Sequence, residues 1–122
     1  MTDIAAALAE VRQRIVASGG NLNAISIVGV SKTRSPDEVS AARAAGLHHF
    51  GENYVHELVK KAAVVQGGDT SWHFLGAVQT NKISKILTWA THIDSVSRVR
   101  ELEVLALRHA AIPLCIEVDF TG

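Results

Sequence analysis

Residues 25–46 read ISIVGVSKTRSPDEVSAARAAG, and this stretch contains both element types of the fold. The run ISIVGVS is apolar on both alternating faces, which predicts a strand buried on both sides of a sheet. The next segment begins with Ser35 as N-cap, Pro36 at the first helical position and Glu38 at capping-box spacing, and it ends at a glycine. We therefore expect a strand followed at once by a helix, with Lys32 in the turn between them.

The alternation of apolar runs and amphipathic helices continues on both sides of this stretch. An earlier helix is predicted by apolar residues at three- and four-residue steps, at Ile4, Leu8, Val11 and Ile15. Further strands are predicted to start near residues 47, 72, 91 and 112, with a helix between each pair. Strands that alternate with helices predict right-handed crossovers and a parallel sheet. An open doubly wound sheet and part of a (βα)8 barrel both satisfy this pattern.

The composition indicates which class of protein this is and which partners are unfavourable. The chain has 122 residues, 48% hydrophobic and 20% charged, which is typical of one globular domain. A formal net charge of zero argues against a nucleic-acid partner or a polybasic membrane contact. The first residues lack the features of a signal peptide, and no apolar run is long enough to span a membrane, so we expect a cytoplasmic protein. The single cysteine, Cys115, lies in the apolar run IPLCIEV, which predicts a buried, inert thiol.

Lys32 is the most informative charged residue, because it follows an apolar strand. A phosphate-binding loop is excluded, because Ser26 and Ser31 stand where that motif needs glycines. A lysine that forms a Schiff base with an aldehyde is a second interpretation, since an apolar strand end would desolvate the amine and favour its neutral form. A solvated surface lysine is the third. The residues alone leave the last two open and favour the surface lysine.

The histidines do not predict a metal site. There are six of them, and none shows the spacing of a metal-binding motif. We therefore interpret them as residues of helix surfaces and strand ends: His48, His49, His56, His73, His92 and His109.

Three longer motifs change the weight of these interpretations. The segments VGVSKTRSPDEV, GLHHFGENYVHELVKK and WHFLGAVQTNKISKI resemble the pyridoxal phosphate-binding homeostasis protein family, which is similar to the N-terminal barrel of bacterial alanine racemases. The resemblance implies an α/β fold, a (βα)8 TIM barrel, with pyridoxal 5′-phosphate held as a Schiff base on Lys32. It also implies that Asn53 and His73 lie near the cofactor, and that the protein serves vitamin B6 homeostasis with little or no catalysis.

Each implied role has an alternative. Asn53 could cap the helix that begins near Tyr54, and His73 could be a core histidine that is hydrogen-bonded to a neighbouring strand. The resemblance assigns no specific role to the motif residues Glu52, Gln79, Asn81 and Lys82, for which hydrogen bonding at the rim of the barrel or loop structure is the alternative. An amino-acid racemase-like enzyme using the same lysine, and a remnant that no longer binds the cofactor, are the alternative functions.

The length of the chain limits the resemblance. A (βα)8 barrel needs about 250 residues, whereas this sequence predicts an N-terminal helix and about five strands. The family holds the cofactor phosphate with later segments that nothing here matches. We therefore expect residues 1–122 to form a single domain that is a truncated member or a fragment, a partial barrel. We also expect weak cofactor binding and self-association through exposed sheet edges.

Overall fold

The computed structural model describes residues 3–65 and 67–121. None of the helices in these ranges is long and apolar enough to cross a membrane. Helices and strands alternate along the chain after an initial helix. Their bounds are α1 Ile4–Ala17, β1 Val28–Val30, α2 Pro36–Ala44, β2 His49–Glu52, α3 Val55–Val64, β3 Ser71–Phe74, α4 Ile83–Trp89, β4 His92–Val96, α5 Val99–Leu107 and β5 Leu114–Ile116, with short 3-10 helices at Leu22–Ala24 and Thr80–Lys82.

The five strands form one parallel sheet in the order β1-β2-β3-β4-β5. A doubly wound sheet would reverse its strand order partway, whereas a barrel adds each strand beside the previous one. The sequential order therefore decides between the two architectures, and the predicted partial barrel is confirmed. The register sets Val30 beside Gly51, Gly51 beside His73, and His73 beside His92.

The first residues of α2 form the predicted capping box. The Ser35 hydroxyl accepts a hydrogen bond of 3.2 Å from the Glu38 backbone N–H, and the Glu38 carboxylate accepts one of 3.1 Å from the Ser35 N–H. Pro36 occupies the first helical position, where its missing N–H has no intrahelical partner to lose. These contacts fix where the chain leaves the turn that contains Lys32.

The hydrophobic core lies between the helices and one face of the sheet. We call the face that packs against the helices the outer face. Because side chains alternate along a strand, every second residue of each strand lies on it. The buried residues come from both layers: Phe50, Trp72, Phe74 and Ile93 from the sheet, and Val39, Leu58, Ile83, Ile86 and Leu105 from the helices. The opposite face, here called the inner face, carries His49, Gly51, His73, His92 and Asp94.

The edge strands depart from the sequence prediction. β1 was predicted to be buried on both sides, but its residues are half-buried or exposed. All three residues of β5 are exposed, and so is Cys115, so the prediction of a buried thiol is wrong. Both strands have a hydrogen-bonded neighbour on one side only within the described residues. An apolar sequence predicts burial only where a second layer covers it, and the predicted exposed sheet edges are present.

Candidate functional site

Lys32 lies in the turn between β1 and α2, directly after the buried Ser31. The turn is closed by a hydrogen bond of 3.0 Å from the Arg34 N–H to the Ser31 carbonyl, and Thr33 has a left-handed φ of 65°. The Lys32 side chain is exposed, and its ammonium has no hydrogen-bond or ion-pair partner among the described residues. The expected desolvation of this amine is therefore not found. The amine is instead accessible from solvent.

A buried ion pair lies beneath the turn. Glu52, at the end of β2, has a side chain that is 0% exposed, and its Oε1 lies 2.6 Å from the Nζ of Lys61, which is 2% exposed. The Lys61 ammonium also donates to the Ser31 carbonyl at 2.5 Å. The Ser31 hydroxyl in turn donates to Glu52 Oε1 at 2.6 Å. Ser31 is thus held through both its backbone and its side chain.

A second carboxylate joins this pair from α3. Glu57 Oε1 lies 4.0 Å from Lys61 Nζ and accepts a hydrogen bond of 3.3 Å from the Thr33 backbone N–H. The other oxygens of Glu52 and Glu57 are buried and have no hydrogen-bond partner. The cluster therefore contains two carboxylates and one ammonium within the described residues. We call Ser31, Glu52, Glu57 and Lys61 the Lys61 cluster.

Asn53 directly follows β2 at the same edge of the sheet and is half-buried. The residue that caps α3 is Tyr54, without a side-chain hydrogen bond, so Asn53 is not the helix cap. The Asn53 carbonyl packs against Gly76, where any Cβ atom would overlap it. The Ser95 hydroxyl holds the Gly76 carbonyl at 2.6 Å. The loops after β2 and β3 therefore pack closely against each other, and β4 holds the second of them by a hydrogen bond.

The other residues of the sequence motifs separate into two environments. Glu52 belongs to the Lys61 cluster, and Asn81 is exposed. Gln79 and Lys82 line a cleft of about 560 Å³ between α3 and the segment that begins α4. The lining includes Asn53 and three lysines: Lys60, Lys82 and Lys85.

His73 lies on the inner face and is 7% exposed. Its Nδ1 is 2.7 Å from Asp94 Oδ2, and its Nε2 is 3.0 Å from His49 Nδ1. An ionised carboxylate can only accept, so His73 donates from Nδ1, and in the neutral tautomer with that proton its Nε2 is an acceptor for the His49 Nδ1–H. The His92 ring is stacked on His73, with centroids 4.1 Å apart. His73 is thus the hydrogen-bonded histidine that the alternative interpretation described.

The other two histidines of the inner face are biased towards neutrality. Partial burial lowers the pKa of His49 below its ordinary value of 6.5, and the positive forms of His92 and His48 lower it further. Burial also lowers the pKa of His92, with a further contribution from His73, while Asp94 opposes the change. A neutral His49 ring can make the contact with His73, because one nitrogen of a neutral imidazole carries a proton that it can donate.

The register brings the three predicted site residues to adjacent strands. Val30 and Gly51 are paired, so Lys32 and Asn53, each two residues further, lie at the same level beyond β1 and β2. His73 is paired with Gly51 and therefore lies one side-chain step deeper on β3. In parallel α/β folds, ligands bind at this carboxyl edge of the sheet.

Two groups of residues were not predicted from the sequence. Lys61 carries no signal in the sequence that separates it from a surface lysine, apart from its four-residue spacing from Glu57. His49 and His92 were interpreted as scattered histidines, although each is the first residue of a strand beside β3. Across residues 3–65 and 67–121, no group of three or more potential ligands has the geometry to hold a metal ion.

Comparisons with known proteins identify relatives of this chain. No family model matches the chain. The pyridoxal phosphate homeostasis protein of Pseudomonas aeruginosa is 34% identical over 124 residues, covering 98% of this chain and 54% of that protein. The protein of the same name from Escherichia coli is 39% identical over 104 residues, covering 77% of this chain and 44% of that protein. The chain thus spans about half the length of these curated relatives.

Solved structures give the same result. PipY of Synechococcus elongatus, solved with PLP bound, matches with a TM-score of 0.83 and 30% identity, over 98% of this chain and 56% of that one. The form without PLP also matches with a TM-score of 0.83. The resemblance predicted from the sequence motifs is confirmed. The chain belongs to the family of the pyridoxal phosphate homeostasis proteins and is related to them along nearly its whole length.

Proposed function

We propose that this relative of the pyridoxal phosphate homeostasis proteins binds pyridoxal 5′-phosphate covalently through Lys32 and serves vitamin B6 homeostasis as a non-catalytic carrier. The observation that carries the proposal is the turn after β1. Lys32 has an accessible, unpaired amine at the carboxyl edge of a parallel sheet, while the buried Lys61 cluster holds the residues on both sides of it. The similarity to PipY with PLP bound supports the same assignment.

The residues of this turn fit the covalent part of such a site. Pyridoxal 5′-phosphate supplies an aldehyde, with which a neutral lysine amine condenses and releases one water molecule. The Lys32 amine has no ion pair to break before it reacts, and the exposed turn admits a ligand without a rearrangement of the core. Lys61, by contrast, is buried and directed at Glu52, which leaves it unavailable as the nucleophile.

We propose that Asn53 and His73 complete the cofactor contacts. Asn53 lies level with Lys32, just beyond the end of the neighbouring strand, and its amide offers both donors and an acceptor to polar groups of the cofactor. His73 lies one step deeper, and both its nitrogens are occupied by Asp94 and His49. Its contribution is therefore a fixed ring position rather than a free proton donor.

A racemase-like enzyme is the second candidate function. The hydrogen-bonded chain from Asp94 through His73 to His49 is the observation in its favour, because such chains can relay a proton. Racemases with this type of barrel use a tyrosine as their second catalytic base. The sequence has one tyrosine. That residue, Tyr54, is 57% exposed at the start of α3, with its ring beside His56. We therefore propose the carrier rather than the enzyme.

The remaining features of the proposal concern partners and location. We propose that residues 1–122 act as one domain in the cytoplasm with the cofactor as their partner. Zero net charge supplies no attractive field for nucleic acid. The unpaired edges of β1 and β5 are where we expect self-association, since exposed strand edges can pair with a second chain.

Borohydride reduction tests the covalent assignment. The protein is incubated with pyridoxal 5′-phosphate, reduced and digested, and mass spectrometry locates the modified lysine. We expect modification at Lys32, its loss in Lys32→Arg, and its retention in the matched surface variant Lys82→Arg. Modification spread evenly over Lys60, Lys82 and Lys85 would overturn the proposal. Incubating the loaded protein with L-alanine and measuring the D-isomer distinguishes the racemase.

A further inference from the structure

The Lys61 cluster contacts the chain on both sides of Lys32. On one side, Ser31 donates its hydroxyl to Glu52 and accepts the Lys61 ammonium at its carbonyl. On the other side, the Thr33 N–H donates to Glu57. The sequence neighbours of Lys32 are thus each bound to an acidic residue that also faces Lys61.

Thr33 makes the second contact in an unfavourable backbone conformation. Its φ of 65° is in the left-handed region, which a β-branched residue rarely adopts. A residue stays in such a region only when its surroundings hold it there. The hydrogen bond to Glu57 Oε1 is one such restraint, and the bond from Arg34 to Ser31 that closes the turn is another.

Stability alone does not explain a buried lysine at this place. The free energy needed to remove an ammonium and a carboxylate from water offsets their attraction. Apolar residues of similar volume often stabilise a fold as well as such a pair or better. The placement of the pair is more informative than its strength. Lys61 reaches from α3 across the end of β2 to the carbonyl of Ser31, immediately before the reactive lysine.

We propose that Lys61 is a positioning residue for Lys32. It holds Ser31 directly and holds Glu52 and Glu57 where they bind the turn, so that the Lys32 amine is presented from a fixed backbone. The inference rests on the proposed function, because its main consequence is faster and more selective reaction at Lys32. Its second consequence, an ordered turn, exists without any cofactor.

The first experiment removes both charges of the buried pair. Glu52→Gln/Lys61→Met removes both charges of the fully buried pair together, and the carboxylate that remains, Glu57, has a side chain that is 20% exposed. The matched control is Arg98→Met/Glu101→Gln, which removes another pair with a buried carboxylate, 1% exposed, in α5. We expect reaction of Lys32 with pyridoxal 5′-phosphate to slow by about tenfold or more in the first variant, because misplacement of a reacting group is costly. The control should react at the wild-type rate.

The second experiment needs no cofactor. Amide hydrogen exchange at Thr33 and Arg34 should accelerate by about tenfold in Glu52→Gln/Lys61→Met, while amides of β3 change little. A purely structural role would accelerate exchange across the whole domain together. This measurement separates the two proposals: if wild-type Lys32 fails to react, the proposed function is wrong, yet the exchange pattern still tests positioning.

A third variant covers the case in which the double variant does not fold. Glu57→Ala removes the acceptor of the Thr33 N–H but keeps the buried Lys61–Glu52 pair. We expect reaction at Lys32 to slow by about threefold, the effect of one weak hydrogen bond, with faster exchange at Thr33. Wild-type reaction rates and wild-type exchange in any folded variant of the cluster would overturn the proposal.

Discussion

The two faces of the sheet have opposite characters. On the outer face, Phe74 is 1% exposed and Ile93 is 0% exposed, and both are packed beneath helices. On the inner face, His49 and Asp94 are half-buried and joined through His73 by hydrogen bonds. The apolar packing of the first group contrasts with the hydrogen-bonded, titratable side chains of the second. A change on the outer face should therefore alter folding first, and a change on the inner face should alter protonation first.

The largest expected effect comes from the outer face. Phe74→Ala should lower the free energy of unfolding by about 3–5 kcal/mol, because it removes a buried aromatic ring and leaves a cavity. His92→Ala, on the half-buried inner side of the next strand, should lower it much less. Urea denaturation followed by circular dichroism measures both. Equal losses would contradict the proposed division between the faces.

A smaller effect is expected at the start of α2. Ser35→Ala removes the hydroxyl that caps the Glu38 N–H, which should lower the free energy of unfolding by about 1 kcal/mol. The variant should still react at Lys32 as the wild type does, because the Lys61 cluster is untouched. Thermal unfolding and borohydride labelling measure the two properties. Loss of labelling in the folded variant would make Ser35 part of the site.

The inner face should give the fold a pH dependence. The pKa values of His49 and His92 are lowered in the folded state, so the unfolded chain binds more protons once the pH falls below about 6.5. Stability from these residues is complete above that pH and is lost as the pH falls towards their lower folded pKa values. We expect the free energy of unfolding to decrease as the pH falls below about 6.5. It should decrease less in His49→Gln/His92→Gln, and equal slopes would contradict the assignment.

The smallest expected effect is on cofactor discrimination. Pyridoxal lacks the phosphate, and barrels usually bind phosphate through loops after strands seven and eight. Within the described residues the helix nearest Lys32 is α2, whose Glu38 N–H is already bound to Ser35. Pyridoxal should therefore bind this chain within about tenfold of pyridoxal 5′-phosphate in absorbance titrations. A preference above about a hundredfold, nearly 3 kcal/mol, would require a phosphate site elsewhere.

The elements could be predicted where local patterns determine them. The capping box at Ser35 and the alternation of strands and helices are local, and the structure contains both. Strand order could not be derived from the pattern, because periodicity does not record which strands are neighbours. The burial of β5 was predicted wrongly for a similar reason: an apolar run does not show whether another layer covers it.

The site was predictable only in part. Lys32, Asn53 and His73 follow or occupy strands and belong to recognisable motifs, so the resemblance assigned them. His49 and His92 join His73 only through the register between strands, which the sequence does not reveal. Lys61 could not be recognised because a buried lysine and a solvated lysine look alike on a helix until its partners are known.

Lys60 and Lys61 are adjacent in the chain but differ in access to solvent, one exposed and the other 2% exposed. An amine-selective acylating reagent should therefore modify Lys60 in the native protein and reach Lys61 only in molecules that have opened. Because the two residues are adjacent, they are recovered in the same region of a peptide digest, and the modification of one is an internal standard for the other. The ratio of the two modifications would report the open population directly, without a spectroscopic probe or a denaturant.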